Sequence, residues 1–262
     1  GVADTGDKVT ITGENFGTDP SDISVSFNGT PAEFELVDES TIVATTPADY
    51  KTGNVTVTIH GYTMTGSAMF NPNSKGDVTV LYLQNYKQPF AKANDESWKN
   101  GEWWTPAVWN QNAASFNAKG NTTVSGMQYK SEEGLTLAFQ NGWDKEAYTN
   151  GKMWQVATLR PGKYRLEVTY AYTLVVTDAG NFISVLIAKG DSESDIPNVA
   201  DLEQLNGVYV AYDKMGTAND SGTLVTPSFE VTETTDVVIG FLTSLAKGNS
   251  YFKVTELKLI LE

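Results

Sequence analysis

The sequence contains no cysteine and a single histidine, His60. The absence of cysteine excludes disulfides, thiolate metal sites, iron–sulfur clusters and a cysteine nucleophile. One histidine cannot form a zinc site that requires several imidazoles, and it cannot support catalysis that requires more than one. Because His60 lies at the end of a strand-like segment without nearby partners, we interpret it as a surface or edge residue.

Positive charge is also scarce. The 18 lysines and arginines are outnumbered by 32 aspartates and glutamates, so the formal net charge is −14. This balance argues against binding nucleic acid, which requires clustered basic residues, and equally against binding an anionic membrane surface. Partners are expected to be neutral, cationic or bridged by a metal.

Long apolar runs are missing as well. No run approaches the roughly 20 residues of a membrane helix, so no transmembrane segment is predicted. No signal peptide is present, and we interpret Gly1 as the start of a processed or truncated chain. With 40% hydrophobic and 11% aromatic residues, the chain nevertheless has enough apolar material for real cores.

Alternation of apolar and polar residues is the dominant pattern, and it predicts an all-β protein. Helical periodicity is limited to two short candidates, one from the Thr105-Pro106 cap through Phe116 and one at 198–205. A change of phase in the last strand predicts a β-bulge between Val254 and Leu257. The strands are recognised by three clear sets of alternating residues: Val55, Val57 and Ile59; Leu135, Leu137 and Phe139; Tyr164, Leu166, Val168 and Tyr170.

A polar segment at 71–77 divides the chain. It contains no apolar residue, whereas strand-like patterns lie on both sides of it. We therefore predict two domains, residues 1–72 and residues 78–262.

The first domain carries four motifs in order. They are Gly6–Gly17 (GDKVTITGENFG), Val25–Gly29, Ser40–Pro47 and Gly53–Thr58. Together they resemble an IPT/TIG domain. This resemblance implies a small immunoglobulin-like sandwich at 1–72, which in bacterial surface proteins usually acts as a spacer.

The second domain carries a different set of motifs. Its strings Gly134–Trp143 and Asn150–Tyr164, followed by a long final strand at Tyr251–Leu261, resemble the DUF5013-type domain of Bacteroides-type surface glycan-binding proteins. The resemblance implies a galactose-binding-like β-jelly roll at 78–262 and a role in polysaccharide utilisation. It further implies a location at the cell surface, in the outer membrane, with a lipid anchor on a removed N-terminus, near importer or hydrolase components.

All six tryptophans lie between residues 98 and 154. Trp109 and Trp154 lie in apolar surroundings and are interpreted as core. The others are mixed with amides and acids, the composition of a carbohydrate site in which rings stack on sugar faces and polar groups bind hydroxyls. We predict an exposed platform on the loop at 98–104, with a further ligand contact at 143. The predicted ligand-binding residues are Trp98, Trp103, Trp104, Trp143, Asp95 and Asn100.

A metal site is considered at Asp191, Glu193 and Asp195, whose alternating spacing is that of a calcium loop. Ile196 stands where such a loop needs glycine, and a solvated acidic loop is the alternative. No cofactor is predicted, and a structural calcium is left open without a place in the sequence.

Three functions compete. The first is non-catalytic binding of a polysaccharide or oligosaccharide. The second is a glycoside hydrolase, or an accessory module of one, using paired carboxylates. The third is a structural or adhesive surface protein without a small ligand. No carboxylate lies in an apolar frame that would suit a general acid, and no nucleophile motif is present, so we predict binding without catalysis. The identity of the glycan and the oligomeric state are left open.

Overall fold

The computed structural model describes residues 1–72, 74–97, 102–116, 118–119, 122–123, 125–141, 147–175, 180–246 and 250–262. Residues 94–97, 118–119, 122–123 and 218–219 are described by their backbone alone. The described chain is built from strands, with the four-residue helices α1 (Thr79–Tyr82) and α2 (Leu202–Leu205). Short 3-10 turns lie at Pro20–Asp22 and Glu193–Asp195. The chain divides into two compact units, Gly1–Leu81 with Ile260–Glu262, and Tyr82–Leu259.

The first unit is a small sandwich of two antiparallel sheets. One sheet has the order β1-β5-β4 and the other has the order β3-β2-β6-β7. A short strand, β8, pairs with Ile260 and Leu261 near the end of the chain. The strands are β1 (Lys8–Thr12), β2 (Ile23–Phe27), β3 (Thr30–Ala32), β4 (Phe34–Asp38), β5 (Thr41–Thr45), β6 (Gly53–Ile59), β7 (Tyr62–Met69) and β8 (Gly76–Asp77).

Tyr50 lies at the centre of this small core. Its ring is buried and meets Phe27 edge to face, with 5.3 Å between the ring centroids. Its hydroxyl donates to the carbonyls of Ala3 and Phe70. The alternating residues of β2, β5 and β6 supply the apolar surroundings, as their sequence pattern predicts.

The second unit is a larger sandwich. Its larger sheet has the order β20-β17-β23-β15-β14-β10-β9, with β21 pairing β17, and its smaller sheet has the order β11-β16-β22-β18-β19. Strands β12 and β13 pair with each other. The strands are β9 (Lys92–Ser97), β10 (Trp103–Pro106), β11 (Asn110–Gln111), β12 (Ala118–Lys119), β13 (Thr122–Thr123), β14 (Ser125–Lys130), β15 (Gly134–Asn141), β16 (Tyr148–Leu159), β17 (Gly162–Val175), β18 (Phe182–Lys189), β19 (Val210–Lys214), β20 (Ala218–Val225), β21 (Phe229–Val231), β22 (Thr235–Leu245) and β23 (Ser250–Leu261).

Aromatic residues fill the space between these two sheets. Phe241 of the smaller sheet packs against Phe139 and Phe252 of the larger one, with ring centroids 5.0 and 6.3 Å away. Trp109 also contacts Phe241, at 5.7 Å. The burial of Trp109 confirms that it belongs to the core.

A second apolar layer covers the outer face of the smaller sheet. Trp154, Leu186 and Leu242 pack there against Ile196 and Leu202 from the stretch 191–209, which we call the covering segment. Trp154 is therefore a core residue, as predicted, although it faces away from the other sheet.

The all-β prediction is confirmed: an immunoglobulin-like sandwich precedes a jelly-roll sandwich. The domain bounds 1–72 and 78–262 stay a prediction. No helix that the structure describes is long and apolar enough to cross a membrane.

The predicted helix after Thr105 is wrong. Trp103–Pro106 is strand β10, and Asn110–Gln111 forms strand β11. Val108 between them has a positive φ of 63°, a conformation that no helix contains. Two neighbouring strands offer these residues backbone partners, and this tertiary pairing overrides the local cap signal. The other candidate, 198–205, does contain a helical turn, α2.

Candidate functional site

Three residues form a row across the larger sheet on the face that points away from the core. Trp103 of β10 lies opposite Gln128 of β14, and Gln128 lies opposite Thr136 of β15. Residues directly opposite in an antiparallel pair share a face. The next residues along the strands, such as Leu137, face the core, so the row Trp103–Gln128–Thr136 lies on the outer face.

The row is buried and its polar groups lack partners. Trp103 is 2% exposed, Gln128 is 4% exposed and Thr136 is fully buried. The Oε1 atom of Gln128 and the Oγ1 atom of Thr136 make no hydrogen bond to any residue that the structure describes. Each such buried atom costs roughly 1–3 kcal/mol, and native proteins retain few of them. Two on neighbouring strands therefore call for a partner from outside the described chain.

An ion pair lies on the same face. Lys253 of β23 is opposite Ala138, the next outward-facing residue of β15 after Thr136. Its ammonium contacts the carboxylate of Glu133, in the turn between β14 and β15, and lies 5.5 Å from the ring centroid of Tyr251. The side chain of Lys253 is 5% exposed and that of Glu133 is 21% exposed. Glu133 and the half-buried Tyr251 thus present the accessible part of this face.

These groups have the chemistry of a carbohydrate site. Aromatic rings offer apolar faces to the C–H groups of a sugar, while an amide, a hydroxyl and a carboxylate exchange hydrogen bonds with its hydroxyls. A ligand site with a few convergent polar groups in apolar surroundings has this composition. We call the set Trp103, Gln128, Thr136, Glu133, Tyr251 and Lys253 the outer-face site.

Two carboxylates near this site have lysine partners. Glu102, just before β10, pairs with Lys130 at 2.7 Å, and Glu133 pairs with Lys253. A glycosidase instead needs one carboxyl group as the acid and a second as the base or nucleophile.

The family model for DUF5013, a domain of unknown function, matches residues 84–240. The chain belongs to the DUF5013 family. A second family model, that of the IPT/TIG domain, matches residues 1–75, so the predicted order of the two domains is confirmed. The outer-face site includes Trp103, Gln128, Glu133 and Thr136 from within the DUF5013 match, and Tyr251 and Lys253 from the last strand.

Solved structures similar to this chain include several carbohydrate-binding modules. TmCBM61 in complex with β-1,4-galactotriose is 12% identical, with 69% of this chain and 98% of that chain covered and a TM-score of 0.34. The xylan-binding domain from CBM 22 is 9% identical, with 68% of this chain and 97% of that chain covered and a TM-score of 0.34. The K3 cleaved adhesin domain of Lys-gingipain from Porphyromonas gingivalis is 10% identical, with 68% of this chain and 97% of that chain covered and a TM-score of 0.35. At these TM-scores the likeness carries no argument about function. No curated protein matches the chain.

Two of the predicted platform residues lie in strand β10 of the DUF5013 domain. The prediction of an exposed loop is wrong for both residues, because β9 and β14 pair with β10 on either side. Trp103 is buried in the outer-face row and offers no open ring. Trp104 points to the core side and is half-buried, with the Nζ atom of Lys92 5.8 Å from its ring centroid. Its Nε1 atom is buried without a hydrogen-bond partner among the described residues.

The remaining predicted contacts are not described in full. Trp98, Asn100 and Trp143 lie outside the described residues, and Asp95 lies in β9 with its backbone alone described. Asn141, the last described residue before Trp143, is five positions beyond Thr136 on β15, which is about 16 Å of strand. The row at Trp103 and the start of the segment that holds Trp143 therefore belong to different ends of the sheet. A ligand role for these residues stays a prediction.

Sequence reasoning missed most of the outer-face site, although part of the signal was present. Leu135, Leu137 and Phe139 alternate toward the core, which places Thr136 on the opposite face. Lys253 likewise stands between Phe252 and Val254. What the sequence could not supply was the pairing of β14 with β10 and β15, which brings Gln128 into line with Trp103 and Thr136.

The acidic stretch considered as a calcium loop is occupied by its own hydrogen bonds. The carboxylate of Asp195 accepts from the hydroxyl of Ser192 at 2.6 Å and from the backbone N–H groups of Asp191 and Ser192 at 3.0 Å. The Ser192 hydroxyl bond in particular lowers the pKa of Asp195. Among the described residues no group of three acidic or histidine side chains could hold a metal ion.

Proposed function

We propose that this protein binds a polysaccharide or oligosaccharide without turning it over. The DUF5013 domain supplies the outer-face site, and the IPT/TIG domain acts as a spacer. The proposal extends to a cell-surface protein of the outer membrane, lipid-anchored through its N-terminal side, that holds glycan near an importer or a hydrolase. The sequence motifs and the low content of basic residues support this setting.

One observation carries the proposal: the unpartnered Gln128 Oε1 and Thr136 Oγ1 atoms in a row with Trp103. A patch that only fills space would gain stability from apolar residues at both positions, because a buried polar atom without a partner is penalised. Both atoms are buried in the free protein, so a ligand hydroxyl completes their bonding only if the side chains that cover the row move aside. The half-buried ring of Tyr251, on the same face, is the aromatic surface of this site that a sugar can reach.

The test is a pair of substitutions that keep shape and remove the polar atoms, Gln128→Met and Thr136→Val. Wild-type protein is first screened by affinity electrophoresis against soluble plant, host and microbial polysaccharides, and hits are measured by calorimetry. Each substitution is expected to weaken binding about tenfold, equivalent to one lost hydrogen bond of about 1.4 kcal/mol. Each should also raise the melting temperature of the free protein, because the desolvation penalty disappears.

Thr234→Val is the matched control, because Thr234 is exposed. It should change neither affinity nor melting temperature. Variants that are more stable but bind glycan as well as wild type would show that the row is only structural. Absence of binding across the panel, or release of new reducing ends from a bound glycan, would contradict the proposal as a whole.

A further inference from the structure

A cavity of about 450 Å³ lies on the opposite side of the jelly roll, where the covering segment passes over strand β16. This volume suits a small ligand. We call it the Lys152 cavity. Its lining residues are Lys152, Ser194, Asp195, Ile196, Pro197, Asn198, Asp201, Leu205 and Tyr209.

Lys152 is a buried ammonium without an ion-pair partner among the described residues. The residue is 6% exposed. Its Nζ atom donates to the carbonyl of Ile196 at 2.7 Å and to that of Glu193 at 3.2 Å. An ammonium has three N–H donors, so one remains available. Burial lowers the pKa of Lys152, although the charge of Glu193 opposes this effect. A buried charge of this kind is costly until an anion approaches it.

Two other lining groups also have unused bonding capacity. Asp201 occupies the N-cap position of α2, yet its carboxylate makes no capping hydrogen bond. Asn198 is exposed, and its amide makes no hydrogen bond to the described residues. By contrast, the carboxylate of Asp195 is occupied by Ser192 and Asp191 and accepts from the hydroxyl of Tyr209 at 3.2 Å. This last bond fixes the half-buried ring of Tyr209 at the cavity wall.

We infer that the Lys152 cavity binds a uronic acid residue of an acidic glycan. The sugar carboxylate pairs with the free N–H of Lys152. Its hydroxyls bind the carboxylate of Asp201 and the amide of Asn198, and its apolar face rests against Tyr209. This site is separate from the outer-face site and goes beyond the proposed function.

The lining residues favour a singly charged sugar over other anions. Phosphate would make no use of the Tyr209 ring or of Leu205, and its second charge would be repelled by Asp195 and Asp201. A neutral sugar would leave the ammonium of Lys152 with the charge of Glu193 alone to oppose it. A uronic acid uses the cation, the hydroxyl-binding groups and the ring together.

The experiment compares sodium α-1,4-trigalacturonate with α-1,4-galactotriose, a probe of equal length and linkage that lacks the carboxylates. Calorimetry on the whole protein is expected to show at least tenfold tighter binding of trigalacturonate. Lys152→Met should lower trigalacturonate affinity at least tenfold and leave galactotriose unchanged. Asp201→Ala, at an exposed position, should weaken both probes several-fold at this site. Amide NMR signals of Lys152, Asn198 and Tyr209 should shift on titration of wild type with trigalacturonate.

Gln128→Met separates this inference from the proposed function. If the inference holds, trigalacturonate still shifts the amide signals of Lys152, Asn198 and Tyr209 in that variant, even where the outer-face site has lost its glycan. Loss of trigalacturonate binding in Gln128→Met would place the acidic sugar on the larger sheet and overturn the inference. Equal affinity for the two probes, or absence of NMR shifts at the three residues, would do the same. If Lys152→Met does not fold, Asp201→Ala and the wild-type NMR titration decide the matter.

Discussion

At the scale of single residues, Tyr50 shows how one polar atom can organise a small core. Its buried hydroxyl serves two carbonyls that are distant in sequence, those of Ala3 and Phe70. Burial, together with the charges of Asp4 and Asp7, raises the pKa of Tyr50 from 10.0 to about 12. The phenol of Tyr50 therefore loses its proton at a higher pH in the folded first unit than in the unfolded chain.

This shift predicts a specific loss of stability at high pH. A raised folded-state pKa favours folding fully below pH 10, and the advantage is lost as the pH rises from 10 to about 12. Tyr50→Phe should cost about 1–2 kcal/mol at pH 8, because the buried carbonyl of Ala3 loses its donor, whereas that of Phe70 keeps the N–H of Ala3. The difference between wild type and variant should shrink between pH 10 and 12. Denaturant unfolding of both proteins between pH 10 and 12 measures this difference in the free energy of unfolding. A difference that stays constant over this range would contradict the assignment of the raised pKa to Tyr50.

At the scale of elements, strand β10 places two adjacent tryptophans in different environments. Trp103 belongs to the outer face and Trp104 to the core side, because successive residues of a strand point in opposite directions. The exposure of each ring is therefore set by its neighbours in the sheet, and the polar sequence around them is a poor guide to it.

Substitutions in β10 should reveal this difference. Trp103→Ala is expected to destabilise the second unit by about 3–5 kcal/mol, the usual cost of removing a buried aromatic ring. Trp104→Phe should be close to neutral or stabilising, since it removes the buried Nε1 donor that has no partner among the described residues. Thermal unfolding of the two variants tests the assignment. If Trp104→Phe lowers the melting temperature and Trp103→Ala leaves it unchanged, the environments assigned to the two tryptophans are wrong.

The elements also show what the sequence could predict. Strands β6, β15 and β17 follow from alternation, because successive side chains of a strand point to opposite faces and the apolar ones mark the core face. The burial pattern of β23 shows the change of phase between Val254 and Leu257, and the β-bulge predicted from it stays a prediction. The helix predicted from Thr105 to Phe116 was wrong because the strands that pair with this segment, β14 and β16, are distant in sequence. The outer-face row could not be predicted for the same reason. No local pattern aligns Gln128 with Trp103, 25 positions before it, and with Thr136, eight positions after it.

At the scale of the whole molecule, the two units have separate cores. The first is organised around Tyr50 and Phe27, and the second around the contacts of Phe241. Gly240, beside Phe241 on β22, lies where the smaller sheet has no room for a side chain. A Cβ atom there would lie 2.1 Å from the carbonyl oxygen of Met153 and 2.8 Å from the Cα atom of Trp154.

Separate cores predict separate responses to mutation. Gly240→Ala should lower the stability of the second unit by more than about 3 kcal/mol, because backbone atoms must move to accept the added methyl group. Calorimetry should then show one transition at a lower temperature and the other unchanged, whereas Tyr50→Phe should shift the other transition alone. Gly216→Ala is the matched control, since nothing lies within 4 Å of the added atom. Movement of both transitions by either variant would show that the units unfold together.

Ile260–Glu262 are synthesised after the whole jelly roll, yet they belong to the first unit. A growing chain leaves the ribosome N-terminal end first, so Gly1–Leu81 is available long before the residues that pair with β8 exist. Until translation has passed through the whole jelly roll, Gly76 and Asp77 lack their strand partners, Ile260 and Leu261. A stop codon in place of the Ile260 codon would therefore damage a part of the molecule that was translated some 180 codons earlier, while the full IPT/TIG match at 1–75 stayed in place.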